Sequence, residues 1–227
     1  MVERKEGEHR GQIRTFRELQ NVQDHFMFQN ELENINTPKE VLRFLNDEVY
    51  ECCEALEIND PVQIKGELSD ILIFAATVTN TFHFDLDRAI MAAEIAPAIT
   101  LPSQANLEIS GLQQAQRESQ PRTPGRLQFQ EGIDLLLRID RAEQAHLYGP
   151  NERIQPAIGE LVLVSVDIAN KRDIDLQDAV SRKMERNFAK YNPAVARQLI
   201  ASGLTPLEAY LEQKGRWDRN RDIDYLR

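Results

Sequence analysis

The chain has 227 residues, 41% apolar and 28% charged, with a formal net charge of -10. That length and mix suit one large folded domain or two small ones and exclude global disorder. The acidic balance disfavours a nucleic-acid polymer or an anionic membrane surface as partner.

The N-terminal "MVERKEGEHRGQ" is charged and has no apolar core behind it, unlike a signal peptide. The run "ILIFAA" at 71–76 is far shorter than the ~20 residues that cross a bilayer. Cys52 and Cys53 are adjacent, so no disulfide framework is available. Together these features predict a cytoplasmic protein.

Helical periodicity dominates from residue 14 onward. "NTPKEVLRF" predicts a helix start, with Thr37 as cap, Pro38 at the first helical position and Glu40 three residues after the cap. Leu45, Val49, Cys52 and Leu56 follow 4-3-4 spacing, and Leu68, Ile71, Ala75 and Val78 follow 3-4-3. "NDP" at 59–61 separates these two helices, and Asp85 is placed to cap another. Residues 14–96 thus predict about four helices. Residues 97–125 carry four prolines and little apolar periodicity, which predicts a linker or an irregular excursion. Helical pattern resumes over 126–195, and 196–227 reads as one short helix with a charged tail. The fold class is all-α, a helical bundle.

The two helical regions resemble each other at an offset of 90 residues. Asn80 matches Asn170, Asp85 matches Asp175, Leu86 matches Leu176 and Ala89 matches Ala179. Apolar spacing alone produces some likeness between any two amphipathic helices. The matched polar positions favour a duplication, and so an intramolecular pseudo-dimer of two related repeats.

Glu48 and Glu51 are three residues apart, as are Glu67 and Asp70. On a helix that spacing puts each pair on one side, beside the apolar stripe. If the two stripes pack antiparallel, four carboxylates converge at the seam, where a hard cation relieves their repulsion. Such pairs also decorate solvated helix faces, so on spacing alone both readings stand.

"LNDEVYECCEAL" followed by "GELSDILIFAATVTNTFHFDLDRAI" resembles the MazG family of all-α nucleoside triphosphate pyrophosphohydrolases, whose signature is EExxE, a gap, then ExxD. The match here is Asp47-Glu48-x-x-Glu51 and Glu67-x-x-Asp70, with Asp47 in place of the usual first Glu. The resemblance covers 14–95 well and the second half weakly. It implies that Glu48, Glu51, Glu67 and Asp70 bind Mg²⁺, with Mn²⁺ as an alternative, and that Asp47 or Glu48 serves the attacking water. It also implies hydrolysis of a nucleoside triphosphate to monophosphate and pyrophosphate, in nucleotide-pool control. "SRKMERNFAKY" is similar to the family's triphosphate-binding segment, which implies substrate contacts for Lys183, Asn187, Lys190 and Tyr191.

At the same offset Glu67 maps to Ala157 and Asp70 to Glu160, while Ala93 and Pro97 stand where Lys183 and Asn187 would match. Asp140 and Glu143 repeat the Glu48 and Glu51 spacing only if a gap is allowed. One half keeps the acids and the other the cations, which predicts a single composite site, with a homodimer open in either case. Tyr210 and Trp217 are placed to stack on a base, but read by default as anchors of the tail on the bundle. Two rivals stand beside the pyrophosphohydrolase reading: a dimeric-dUTPase-like hydrolase of dUTP or dUDP, and an inactive helical module that binds nucleotide or a partner.

Overall fold

Local sequence sets where the helices begin. Thr15 and Thr37 each accept a hydrogen bond from the third residue of the helix that follows, and the Glu18 and Glu40 carboxylates accept in turn from the cap backbone N–H. Asp60 accepts from the amides of Val62 and Gln63, ahead of Pro61. The computed structural model describes residues 12–32, 37–93, 106–119 and 128–225. Their helices are α1 (Phe16–Gln29), α2 (Pro38–Ile58), α3 (Pro61–Thr81), α4 (Leu86–Ala92), α5 (Ile109–Ser119), α6 (Gln128–Tyr148), α7 (Ile154–Lys171), α8 (Leu176–Lys190), α9 (Pro193–Ala201) and α10 (Pro206–Tyr225). A 3₁₀ turn at Asn151–Arg153 precedes α7, and no named strand occurs among the described residues. The protein is an all-α helical bundle. None of its described helices is long and apolar enough to cross a membrane.

The first half has four helices, as its periodicity predicts. Three expectations need correction. Within 97–125, residues 109–119 form α5, because Ile109 and Leu112 are buried together with Gln113 and Gln116. The glutamines hid this helix: both are buried by hydrogen bonds to backbone carbonyls, which a hydrophobicity pattern does not register. Residues 97–105 and 120–125 of that segment, Pro97 included, lie outside the described residues, as do residues 1–11. The expected charged tail is instead the helix α10, preceded by α9. Asp85 does stand before α4, but its side chain makes no cap bond and pairs with Arg17 and Arg88.

The two halves repeat one another in detail. Pro38–Ile58 and Gln128–Tyr148 have equal length and lie 90 residues apart. In the first half, Gln20 donates to the Phe84 carbonyl and accepts from the Leu86 amide, while Asn80 donates to the Gln20 carbonyl. In the second, Gln113 donates to the Ile174 carbonyl and accepts from the Leu176 amide, while Asn170 donates to the Gln113 carbonyl. His83 and Asp173, 90 apart, both take positive φ (58° and 54°). The halves meet where Phe16 N donates to Leu107 O and Ile109 N to Arg14 O, each bond the counterpart of the other.

Each half lends its fourth helix to the other. α2 packs on α3 and α6 on α7; α4 crosses α7, and α8 crosses α3. The α4–α7 crossing is so close that a Cβ on Gly159 would fall 1.9 Å from the Ala89 carbonyl oxygen. α3 and α8 run parallel, tied by Lys65–Asp178 at 3.1 Å and by Asp70–Lys183. That register carries a cation from the second half to the acids of the first.

Candidate metal and nucleotide site

Leu45, Val49, Cys52 and Leu56 of α2 and Leu68, Ile71 and Ala75 of α3 are fully or almost fully buried. Packing these stripes together turns the flanking acids toward one another. Glu48, Glu67 and Asp70 each offer an oxygen, all within 4.8 Å of one another. Like charges this close in a partly desolvated seam resist ionisation. Burial, then the charges of Asp70, Glu51 and Glu67, push Glu48 up to about 8. Burial and Asp70 push Glu67 up to about 7, and burial raises Asp70 despite the ammonium of Lys183, which is bonded to it.

The other residues singled out by sequence fall around this group. Glu51 is exposed at its edge, outside the three-carboxylate set, but its charge acts on all three members. Asp47 is exposed, about 40° further around α2 than Glu51. Asn187 uses its backbone carbonyl to accept from Tyr191 N at the end of α8. Lys190 lies over the Tyr191 ring at 5.3 Å. Tyr191 is buried, edge-on to Phe26 at 5.7 Å and stacked on Tyr210 at 4.3 Å. Lys183 therefore reaches the acids, whereas Tyr191 stands in the aromatic packing beside them.

The structure adds residues that motif spacing did not select. Arg186 lowers the Asp70 pKa and Lys214 that of Glu67, so two further cations face the cluster, from α8 and α10. Against Glu48 opens a cavity of about 130 Å³. Phe26, Phe44, Phe74, Leu207, Tyr210 and Leu211 form most of its apolar wall, with Thr77 and Lys214 among its polar positions. Gln23, buried behind this wall, donates to Thr77 Oγ1 at 2.9 Å, and its own Oε1 has no hydrogen-bond partner among the described residues. The aromatic residues come from four helices far apart in sequence, so no local spacing announces them.

The equivalent region of the second half is built differently. The 90-residue offset runs without a gap through α6, so Arg138 and Arg141 stand where Glu48 and Glu51 do. Asp140 is exposed and Glu143 half-buried, neither at the acid positions. Glu160, the counterpart of Asp70, is buried and pairs with Arg138 at 3.1 Å and Arg141 at 2.9 Å. The counterparts of Val41, Phe44, Phe74 and Thr77 are Glu131, Asp134, Val164 and Asp167. Glu131 is buried against Arg172 at 2.6 Å and Lys171 at 3.5 Å, and Lys171 also bonds Asp167. The cysteines stay packing residues: burial raises both thiols, and Cys53 Sγ donates to the Gly132 carbonyl where α2 meets α6.

No curated protein and no solved structure matches the chain. The family model described as MazG nucleotide pyrophosphohydrolase domain matches residues 36–94, which span α2, α3 and α4. Over the segment that carries all four acids, the chain is MazG-like.

Proposed function

We propose that the chain hydrolyses nucleoside triphosphates between the α- and β-phosphates with the help of Mg²⁺, at one composite site per chain built from two diverged repeats. The observation that carries this reading is the convergence of Glu48, Glu67 and Asp70 with Lys183 from the opposite half. The donor set fits a hard divalent cation. It is all carboxylate, and two of its members, Glu48 and Glu67, take no side-chain hydrogen bond or ion pair among the described residues. Glu48, Glu67 and Asp70 would hold the ion, with Glu51 at the rim. Bound there, it would draw charge from the phosphate oxygens and lower the pKa of water.

The protein groups divide the remaining work. Lys183 exchanges its carboxylate partner for phosphate oxygen, and Arg186 and Lys214 neutralise the outer phosphates. Asp47 and Glu51 line the solvent side of α2, so a water entering from that side meets a carboxylate that accepts its proton. The water oxygen bonds to the α-phosphorus, the bond to the bridging oxygen breaks, and pyrophosphate leaves. Asn187, Lys190 and Tyr191 hold the end of α8 in place behind Lys183. Nucleotide-pool control is the role that this chemistry suits.

The test is a product assay with Mg²⁺ on canonical and modified nucleoside triphosphates, dUTP and dUDP included. Monophosphate with pyrophosphate is expected. Orthophosphate as the released product, or no turnover by folded protein with ample Mg²⁺ or Mn²⁺, overturns the reading. Efficient cleavage of dUTP and dUDP alone would move it to the dUTPase-like class.

A further inference from the structure

Helix α10 lies beyond the 36–94 segment and beyond both repeats, yet it closes the cavity beside Glu48. Its start is fixed by a reciprocal cap between Thr205 and Glu208, with Pro206 at the first helical position. Ala209 is fully buried, and the buried Gln213 side chain accepts from Asn192 N at 2.8 Å, which ties α10 to the end of α8. Tyr210 stacks on Tyr191 with the rings 12° from parallel. These contacts aim Leu207, Tyr210, Leu211 and Lys214 at the cavity, whose opposite walls are Phe26 and Met27 of α1, Phe44 of α2 and Phe74 of α3.

A ligand with phosphates at the acids must place its other end somewhere within reach of Glu48. The cavity shares Glu48 with the acid cluster and shares Lys214 with the field around Glu67. It is apolar and aromatic on several sides, which suits a flat ring that gains by stacking and by leaving water. We infer that α10 is the specificity wall of the site, with Leu207, Tyr210 and Leu211 receiving the base of the nucleotide whose phosphates lie at the acids. The inference rests on the proposed hydrolysis and adds what that reading leaves open, the part of the chain that selects the base. Selection by such a wall works through shape, so changing its volume shifts preference between large and small bases.

The experiment uses the full chain with two substitutions, Leu207→Trp to fill the cavity and Leu211→Ala to widen it. Steady-state kinetics on a purine and a pyrimidine nucleoside triphosphate are read beside Mn²⁺ binding in the absence of nucleotide. Leu207→Trp is expected to raise KM about tenfold or more, more for the purine, while Mn²⁺ binding stays as in wild type. Leu211→Ala, at a half-exposed position that tolerates truncation, is expected to move the purine-to-pyrimidine ratio the opposite way by several-fold. Wild-type turnover with KM and the ratio unchanged in Leu211→Ala overturns the inference and leaves the hydrolase reading intact. Absence of wild-type turnover on every nucleotide removes both.

Discussion

The two halves share a fold down to individual hydrogen bonds, yet their equivalent helix seams hold opposite chemistry. In the first half, α2 and α3 bring three carboxylates together, with one bonded ammonium, next to an apolar cavity. In the second, α6 and α7 present Arg138, Arg141 and Glu160 at the same positions, and a buried network around Glu131 replaces the apolar wall. An acid cluster without its cation is strained by repulsion, whereas two guanidiniums on one carboxylate satisfy one another. The first seam therefore holds repulsion that a bound cation would relieve, whereas the second is satisfied by its own residues. The helix scaffold tolerates both because the apolar stripes beneath the charges are alike.

This contrast breaks most directly through the acids. Glu48→Gln should lower turnover by at least about a hundredfold with the fold retained, which activity and circular dichroism together would check. The matching change in the other half, Glu160→Gln, should leave turnover near wild type but cost roughly 2–4 kcal/mol of stability, because Arg138 and Arg141 lose their buried partner. Denaturant unfolding would measure that loss. A large activity defect in Glu160→Gln would mean that the second seam also takes part in the reaction.

The pH dependence of stability sharpens the same comparison. Glu48 and Glu67 sit at about 8 and about 7, above the ordinary 4.5 of the unfolded chain. The folded metal-free protein thus holds protons that the unfolded chain has given up. By linkage, stability falls as pH rises from about 4.5 through 8. Thermal melts across that window should show the decline, Glu48→Gln should flatten it, and Mg²⁺ should lift the melting temperature most at the alkaline end. The smallest effect is expected from restoring acids to the second half. The triple change Arg138→Glu, Arg141→Glu and Ala157→Glu should yield no added turnover, because Glu131 and its partners still occupy the place of the cavity. Product assays on this variant, in a Glu48→Gln background, would test that.

Much of the first half was readable because its signals are local. The cap at Thr37, the break at residues 59–61, the 4-3-4 stripe of α2 and the two acid pairs all act within one or two helical turns. The 90-residue repeat was legible at Asn80 and Asn170, whose side chains hold the same backbone carbonyl in each half. Asp140 and Glu143 match the first pair only through a gap, and the offset runs through α6 without one, so they fall off the acid positions. Helix α5 was obscured by glutamines that bury through hydrogen bonds, and α10 by its run of charged residues.

Sequence alone determined the helices of the first half, the acid pairs and the loss of acids from the second repeat, because each depends on residues a few positions apart. Only tertiary structure decided that Lys183 meets Asp70, that Arg138 and Arg141 close on Glu160, and that Phe26, Phe44, Phe74 and Tyr210 surround one cavity. The first and last of those meetings depend on how α8 registers on α3 and how α10 faces α1 across the cavity. Both are set by side-chain packing between helices more than a hundred residues apart, which no local pattern encodes.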